Sequence, residues 1–302
     1  VLDYLLMGVM AIFWAGSYTF GKLAVSSVPT EMVAFLRFLV AGTVLLVITA
    51  IWQPKSLKLQ RKDWLLVLGL GVTGVAGYNL LFFQGLKASL ASDGGMIIPT
   101  LNPLLTLFAA PLILGEALTK RKLLGAGVSL VGQVLIFWSV LSLALQDPDR
   151  LRGDLLYVAC AFCWSAYTII GRIAAKRFTP LASTMWAAVA GTAMLAPFAL
   201  WRLPGSTGYT PLFWGNVLYL ALGATVGAFV LWSRGIDRLG ASRAAVFVNL
   251  VPGATVALAA VMLGEKVGWV EIAGMLVVLV GVYVAGTRAA QPRPLAMAQG
   301  ES

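Results

Sequence analysis

The sequence predicts an all-α integral membrane protein whose ten transmembrane helices form two inverted five-helix repeats. Three observations predict it: a composition too apolar for water, apolar runs of spanning length, and a second half that repeats the first about 150 residues on. Of 302 residues, 60% are apolar and 11% charged, against about 25% charged in average soluble chains. Water could not solvate such a surface. In a bilayer, apolar residues face outward as well as inward.

A helix crossing ~30 Å of hydrocarbon needs roughly 20 residues. Runs of that length fall at 5–25, 31–52, 64–85, 91–114, 121–141, 153–175, 181–201, 212–233, 241–263 and 267–287. Proline-containing breaks separate them, among them Gln53-Pro54-Lys55, Asp147-Pro148-Asp149, Thr179-Pro180 and Leu203-Pro204-Gly205. The division is a first repeat over 1–141, a connector over 142–152, a second repeat over 153–287 and a disordered tail over 288–302. The N-terminus carries no basic region before a small-residue cleavage site, so the first helix is read as retained.

The net charge of +10 raises nucleic acid as a partner, but the positions of the cations favour a membrane. With the N-terminus inside, fifteen Lys or Arg fall on the cytoplasmic side, including Lys55, Lys58, Arg61, Lys62 and Lys120-Arg121-Lys122. Six fall outside: Lys22, Lys87, Arg150, Arg152, Arg202 and Lys266. Loops rich in Lys and Arg stay cytoplasmic. Both termini are therefore expected inside, in a multi-pass protein of the inner (plasma) membrane. No nucleic acid is needed, and the oligomeric state is open.

The repeat is the most informative feature. Residues 11–24 lie over 161–174, with Ala11/Ala161, Trp14/Trp164, Gly21/Gly171 and Ala24/Ala174 identical. Gly77/Gly227 and Gly85/Gly235 keep that offset. Residues 103–132 match 252–281 at eleven of thirty positions, including Pro103/Pro252, Gly115-Glu116/Gly264-Glu265 and Gly132/Gly281. Five helices is an odd number, so the second repeat starts on the opposite side from the first. Such inversion is the architecture of alternating-access transporters.

These features resemble the drug/metabolite transporter superfamily, and more closely its ten-helix EamA-type exporters, over residues 5–287. The resemblance is carried by Trp14 and Trp164, the Arg37-Phe38 pair, and the spans that run from a proline to Gly-Glu. It departs at Trp186, which faces Arg37 in the second repeat. The resemblance implies export of amino acids and related metabolites across a bacterial inner membrane. Within the group the chain is similar to the YddG-type aromatic amino-acid exporters.

Pro99 and Pro103 lie inside the fourth span, and Pro252-Gly253 inside the ninth. Proline removes a helix hydrogen bond, and lipid cannot satisfy the freed carbonyl. These positions are expected to kink and gate, or only to set curvature. Ser17, Asn79, Thr100, Asn102 and Asn249 supply hydroxyls and amides that could hold an amino acid's ammonium and carboxylate or could bond neighbouring helices. Trp14, Tyr18, Tyr78, Phe82, Trp164 and Tyr167 could line a pocket for an aromatic or bulky apolar side chain. Arg37 is a charge inside the second span, either functional and paired or reaching for the headgroups.

The expected function is a secondary transporter exporting small molecules, with aromatic or bulky apolar amino acids favoured. The alternative cargo on the same fold is a cationic drug, a nucleotide-sugar or a sugar phosphate. The absence of a mid-depth carboxylate opposes cations, and a single buried arginine opposes phosphates. An enzyme needs a convergent catalytic set. With no histidine, and Cys160 and Cys163 inside an apolar run, no catalytic, metal or cofactor site is expected. The Gly69-x-Gly71-x-x-Gly74 run lacks the strand a dinucleotide fingerprint requires, and reads as close helix packing.

Overall fold

The structure is a computed structural model that describes residues 2–114, 120–144, 147–201, 208–240, 244 and 247–286. The first half comprises α1 (Leu2–Val25), α2 (Thr30–Trp52) and two short 3₁₀ turns (Pro54–Leu57, Arg61–Asp63). It continues through α3 (Trp64–Leu70), a π-helical stretch (Gly71–Ala76), α4 (Gly77–Ala88), α5 (Ala91–Leu114) and α6 (Lys120–Ala144). The second half has α7 (Pro148–Ala174), α8 (Pro180–Trp201), α9 (Pro211–Leu218), a π-helical stretch (Tyr219–Gly227) and α10 (Ala228–Leu239). It closes with α11 (Leu250–Leu263) and α12 (Trp269–Gly286). No strand occurs among the described residues.

Of the ten expected spans, six helical stretches are long and apolar enough to cross a membrane: Leu2–Val25, Thr30–Trp52, Arg61–Ala88, Pro148–Ala174, Pro180–Trp201 and Pro211–Ile236. Leu123–Ser139, Leu250–Leu263 and Trp269–Val284 are apolar but shorter. The outer surface suits lipid: Leu65, Leu112, Val261 and Trp201 are each more than 80% exposed. In water that exposure would be costly; against hydrocarbon it is neutral.

At Pro148 and Pro180 the proline punctuation proves to be helix initiation, while Leu203-Pro204-Gly205 lies outside the described residues. Asp147 caps α7 by accepting from the Asp149 and Arg150 amides at 3.1 and 3.2 Å, with Pro148 in the first turn. Thr179 accepts from the Ala182 amide at 3.2 Å and Thr210 from that of Phe213 at 3.2 Å, ahead of Pro180 and Pro211. Proline lacks only an amide that a helix start leaves unpaired. Helix therefore continues to Ala144 and resumes at Pro148, inside the expected 142–152 connector. The 288–302 tail and the Gly115-Glu116 pair lie outside the described residues.

The two π-helical stretches occupy equivalent places. The Gly77 amide bonds the Val72 carbonyl and the Ala228 amide that of Gly223, each five residues back. A Cβ on Gly77 would come within 2.8 Å of the Val72 oxygen, and one on Gly227 within 3.0 Å of the Leu222 oxygen. The sequence-matched Gly77/Gly227 pair thus admits the same local widening in both halves.

Contacts between the halves come in exchange-related pairs. Helix α1 packs on α10 and α11, while α7 packs on α4 and α5. Helices α2 and α8 pack together, as do α6 and α12, the most extensive pair. Glycines let α6 and α12 approach, as small residues do between membrane helices. A Cβ on Gly132 would lie 2.5 Å from the Gly274 oxygen, and one on Gly281 2.5 Å from the Ser129 amide nitrogen.

Those contacts are with backbone, which cannot rotate away. Gly132→Ala and Gly281→Ala should each cost about 1–3 kcal/mol through overpacking, read as a lowered melting temperature in detergent. Gly127→Ala, with nothing within 4 Å of the added carbon, should not lower it; equal loss in all three would refute the packing assignment.

Candidate functional site

Candidate residues from both halves meet around α1, α2, α4 and α7. The rings form a continuous contact chain: Tyr18 to Phe82 at 5.1 Å, Phe82 to Tyr78 at 5.6 Å, Tyr78 to Trp164 at 5.2 Å and Trp164 to Tyr167 at 5.3 Å between centroids. Tyr167 lies over Gly74, where a Cβ would meet its ring at 2.3 Å. That residue of the Gly69–Gly74 run makes room for an aromatic ring.

Trp14 stands apart from this chain. Its ring packs on Phe229 at 5.8 Å and Trp232 at 5.6 Å, both in α10. The two repeat-matched tryptophans thus make exchanged contacts, Trp14 with α10 and Trp164 with α4.

Arg37 is buried two turns into α2. Its Nε donates to Thr225 Oγ1 at 3.0 Å and its Nη1 to Asn79 Oδ1 at 3.3 Å, while its charge lies 5.2 Å from the Phe38 ring centre. Asn79 is itself held by donating Nδ2 to the Val75 carbonyl at 2.8 Å. The guanidinium therefore ties α2 to both π-bearing segments instead of reaching toward headgroups. Its hydrogen-bond partners are neutral, and no carboxylate is paired with it among the described residues. Tyr18 and Tyr78 are its electrostatic neighbours.

The remaining candidates disperse. Ser17 donates to the Trp14 carbonyl of its own helix at 2.6 Å. Thr100 Oγ1 lies against the Met96 carbonyl and 2.8 Å from Gln133 Oε1 of α6, and its single hydrogen serves one of the two. Asn102 accepts from Thr106, whose hydroxyl sits 3.1 Å from that of Ser165. Pro99 and Pro103 are carried within one continuous helix, α5. Pro252, by contrast, follows a turn at Asn249 that interrupts the helical stretch before α11. Having no amide, it cannot bond the Val248 carbonyl. Gly253 is exposed one residue later. The fourth span is thus continuous helix through its prolines, whereas the ninth is interrupted before Pro252. Thr225 and Gln133 went unmarked in the sequence, although an amide at membrane depth, as at Gln133, is a signal of its own.

Each end of the bundle is tied. At one, Lys22 donates to the Ser89 carbonyl at 2.5 Å, and Arg150 grips Asp93 through two bonds of 2.9 and 3.2 Å. Glu265 accepts from the Ala91 and Ser92 amides at 2.9 Å each, capping α5. At the other end Arg177 pairs with Asp63 at 2.6 Å and Arg234 with Asp3 at 3.0 Å. There Trp186 Nε1 donates to the Ser56 carbonyl at 3.1 Å, and at the 150-residue offset it is the neighbouring Ala187, not Trp186, that falls opposite Arg37. A recess of about 330 Å³ at this end is lined by Lys55, Lys58, Lys62 and Arg177.

A helical bundle with an apolar exterior and a buried polar junction defines an integral membrane protein. The chain belongs to the EamA-like transporter family, whose model matches it twice, over residues 2–138 and 151–287. It is 30% identical to the "Uncharacterized transporter YyaM" of Bacillus subtilis, over 93% of this chain and 92% of that one. It is 23% identical to the "Probable amino-acid metabolite efflux pump" of Salmonella typhimurium, over 93% and 94% of the two chains. Likeness to the "Aromatic amino acid exporter YddG" of Ancylobacter novellus is 25%, over 77% of this chain and 79% of that one. The resemblance is thus to the family, with the aromatic exporter a distant and partial relative.

Thr225→Val would leave the buried Arg37 Nε–H without an acceptor. It should destabilise the protein by about 1–3 kcal/mol, read in thermal unfolding, while Thr225→Ser should not. A valine variant as stable as the native protein would show that this bond does not hold the guanidinium.

Proposed function

We propose that the protein is a secondary transporter that exports amino acids, with aromatic or bulky apolar ones favoured, or related small metabolites. It works by alternating access between two inverted halves, in a bacterial inner membrane with both termini cytoplasmic. The observation that carries this reading is Arg37, a buried cation with neutral partners set beside a chain of aromatic rings. Its donors not spent on Thr225 and Asn79 suit a carboxylate, and the rings suit an apolar side chain. A lone arginine without a neighbouring acid repels a cationic drug, and one arginine is a weak match for a sugar phosphate.

Inversion is supported by the ends that meet. Lys22, near the C-terminus of α1, and Arg150 and Asp154, near the N-terminus of its repeat mate α7, all lie about Ser89 and Asp93. Exchange-related packing and the twofold match to the family model support it further. The names of the efflux pump and the aromatic exporter agree with the cargo class.

Counterflow in proteoliposomes with a panel of amino acids tests the cargo. Phenylalanine or a similar substrate is expected to exchange. Arg37→Gln should weaken its apparent affinity by about tenfold or more, the worth of one charge-assisted contact, with melting temperature as the check on folding. Trp164→Ala should reduce transport of aromatic substrates more than of small ones. Unchanged exchange in folded forms of both variants would refute the assigned site.

A further inference from the structure

At the Lys22 end, one serine hydroxyl faces two carboxylates. Ser89 Oγ lies 2.5 Å from Asp154 Oδ1 and 3.2 Å from Asp93 Oδ2. A hydroxyl has a single hydrogen and can donate to one of them only. Asp93 is the ionised member, since Arg150 grips both its oxygens. Asp154 is 97% buried, and its Oδ2 has no hydrogen-bond partner.

We infer that Asp154 binds a proton when this end of the bundle is tied shut, and gives it up to water when the end opens. The hydrogen bonds then balance: the Asp154 carboxyl donates from Oδ1 to Ser89 Oγ, and Ser89 donates to Asp93. The unpartnered Oδ2 becomes the carbonyl oxygen of a neutral acid, whereas a buried carboxylate beside Asp93 would face desolvation and a like charge together.

The charged groups that face Asp154 among the described residues are engaged elsewhere, while Asp149 and Arg152 on its own helix are exposed. From its own helix come Arg150, which is committed to Asp93, and Tyr157, which donates to the Leu90 carbonyl at 3.0 Å. Lys22 from α1 is turned to the Ser89 carbonyl, and Glu265 caps α5. Glu271 from α12, buried with Oε2 unpartnered, adds a further acid near Arg150. None of these donates a hydrogen bond to Asp154.

Opening would separate α7 from Ser89 and let water reach the carboxyl, which ionises readily once hydrated. Since the proton is bound in the tied form and released from the open one, acid on that side holds the end shut and alkali favours opening. On the proposed topology that side is the cell exterior. This step rests on the alternating-access reading; the protonation itself does not.

Infrared spectroscopy of the reconstituted protein at neutral pH should show the carbonyl stretch of a protonated carboxylic acid. That band should be lost in Asp154→Asn, which keeps a donor toward Ser89, and retained in Glu271→Gln. A band that survives in folded Asp154→Asn, or no band in the native protein, would overturn the inference. In right-side-out vesicles, efflux of the counterflow substrate should slow as external pH falls, and Asp154→Asn should lose that response. An unaltered pH response in the variant would also overturn it. If no amino acid exchanges at all, the cargo reading fails while the infrared result still decides the protonation.

Discussion

Hydrocarbon neither donates nor accepts a hydrogen bond, so each polar group that enters the bilayer must be satisfied by the protein. This constraint explains most of what the helices do. Thr100 turns to Gln133, Asn79 holds both Arg37 and the Val75 carbonyl, and Ser17 bonds its own helix. These side chains serve the bundle before they serve a ligand. Exceptions then carry information, among them Arg37 with more donors than described partners, Asp154 and Glu271 each with a bare oxygen, Gln133 with an unpartnered amide nitrogen, and the Val248 carbonyl that Pro252 cannot satisfy.

The same constraint makes small residues the means of close approach. Between α6 and α12 there is no hydrophobic gain over lipid, so association depends on fit. Gly132, Gly274 and Gly281 supply the fit by letting backbone meet backbone. A pair bound so extensively, and remote from Arg37, is suited to act as a fixed frame against which the other helices shift. Gly77 and Gly227 have a different task. They admit a π-helical widening at the same place in each half, where helices α2 and α8 pack.

The membrane class and the repeat were legible because both depend on residue type and spacing alone. Apolar runs, basic loops and the Trp14/Trp164 and Gly77/Gly227 pairs survive without knowing any contact. Partnerships were not legible. Nothing in the spacing says that Thr225, some 190 residues from Arg37, accepts from it, or that Trp14 and Trp164 pack on opposite helices instead of sharing one pocket. The proline pair was legible as a weak point in each helix, but not what each helix does there. Pro103 and Pro252 align in sequence, but the first lies within an unbroken helix and the second follows a turn. A proline weakens a helix by one bond, and the packing on either side decides whether it gives way.

Scaffold and chemistry part company at Arg37. The frame is nearly exchangeable: α1 is to α10 and α11 as α7 is to α4 and α5. The polar junction is not. At the offset of 150 that pairs Trp14 with Trp164 and Gly77 with Gly227, Arg37, Asn79 and Thr225 correspond to Ala187, Phe229 and Val75. A symmetric frame gives two alike halves similar energies in either orientation, which alternating access requires. A symmetric site, however, would present a cargo with two equivalent poses. For the proposed cargo, placing this buried hydrogen-bonded cation in one half alone would fix one pose for a molecule with one charged end and one apolar end. On the proposed alternating-access reading, that division of labour would let the halves rock while the cargo keeps a single set of partners.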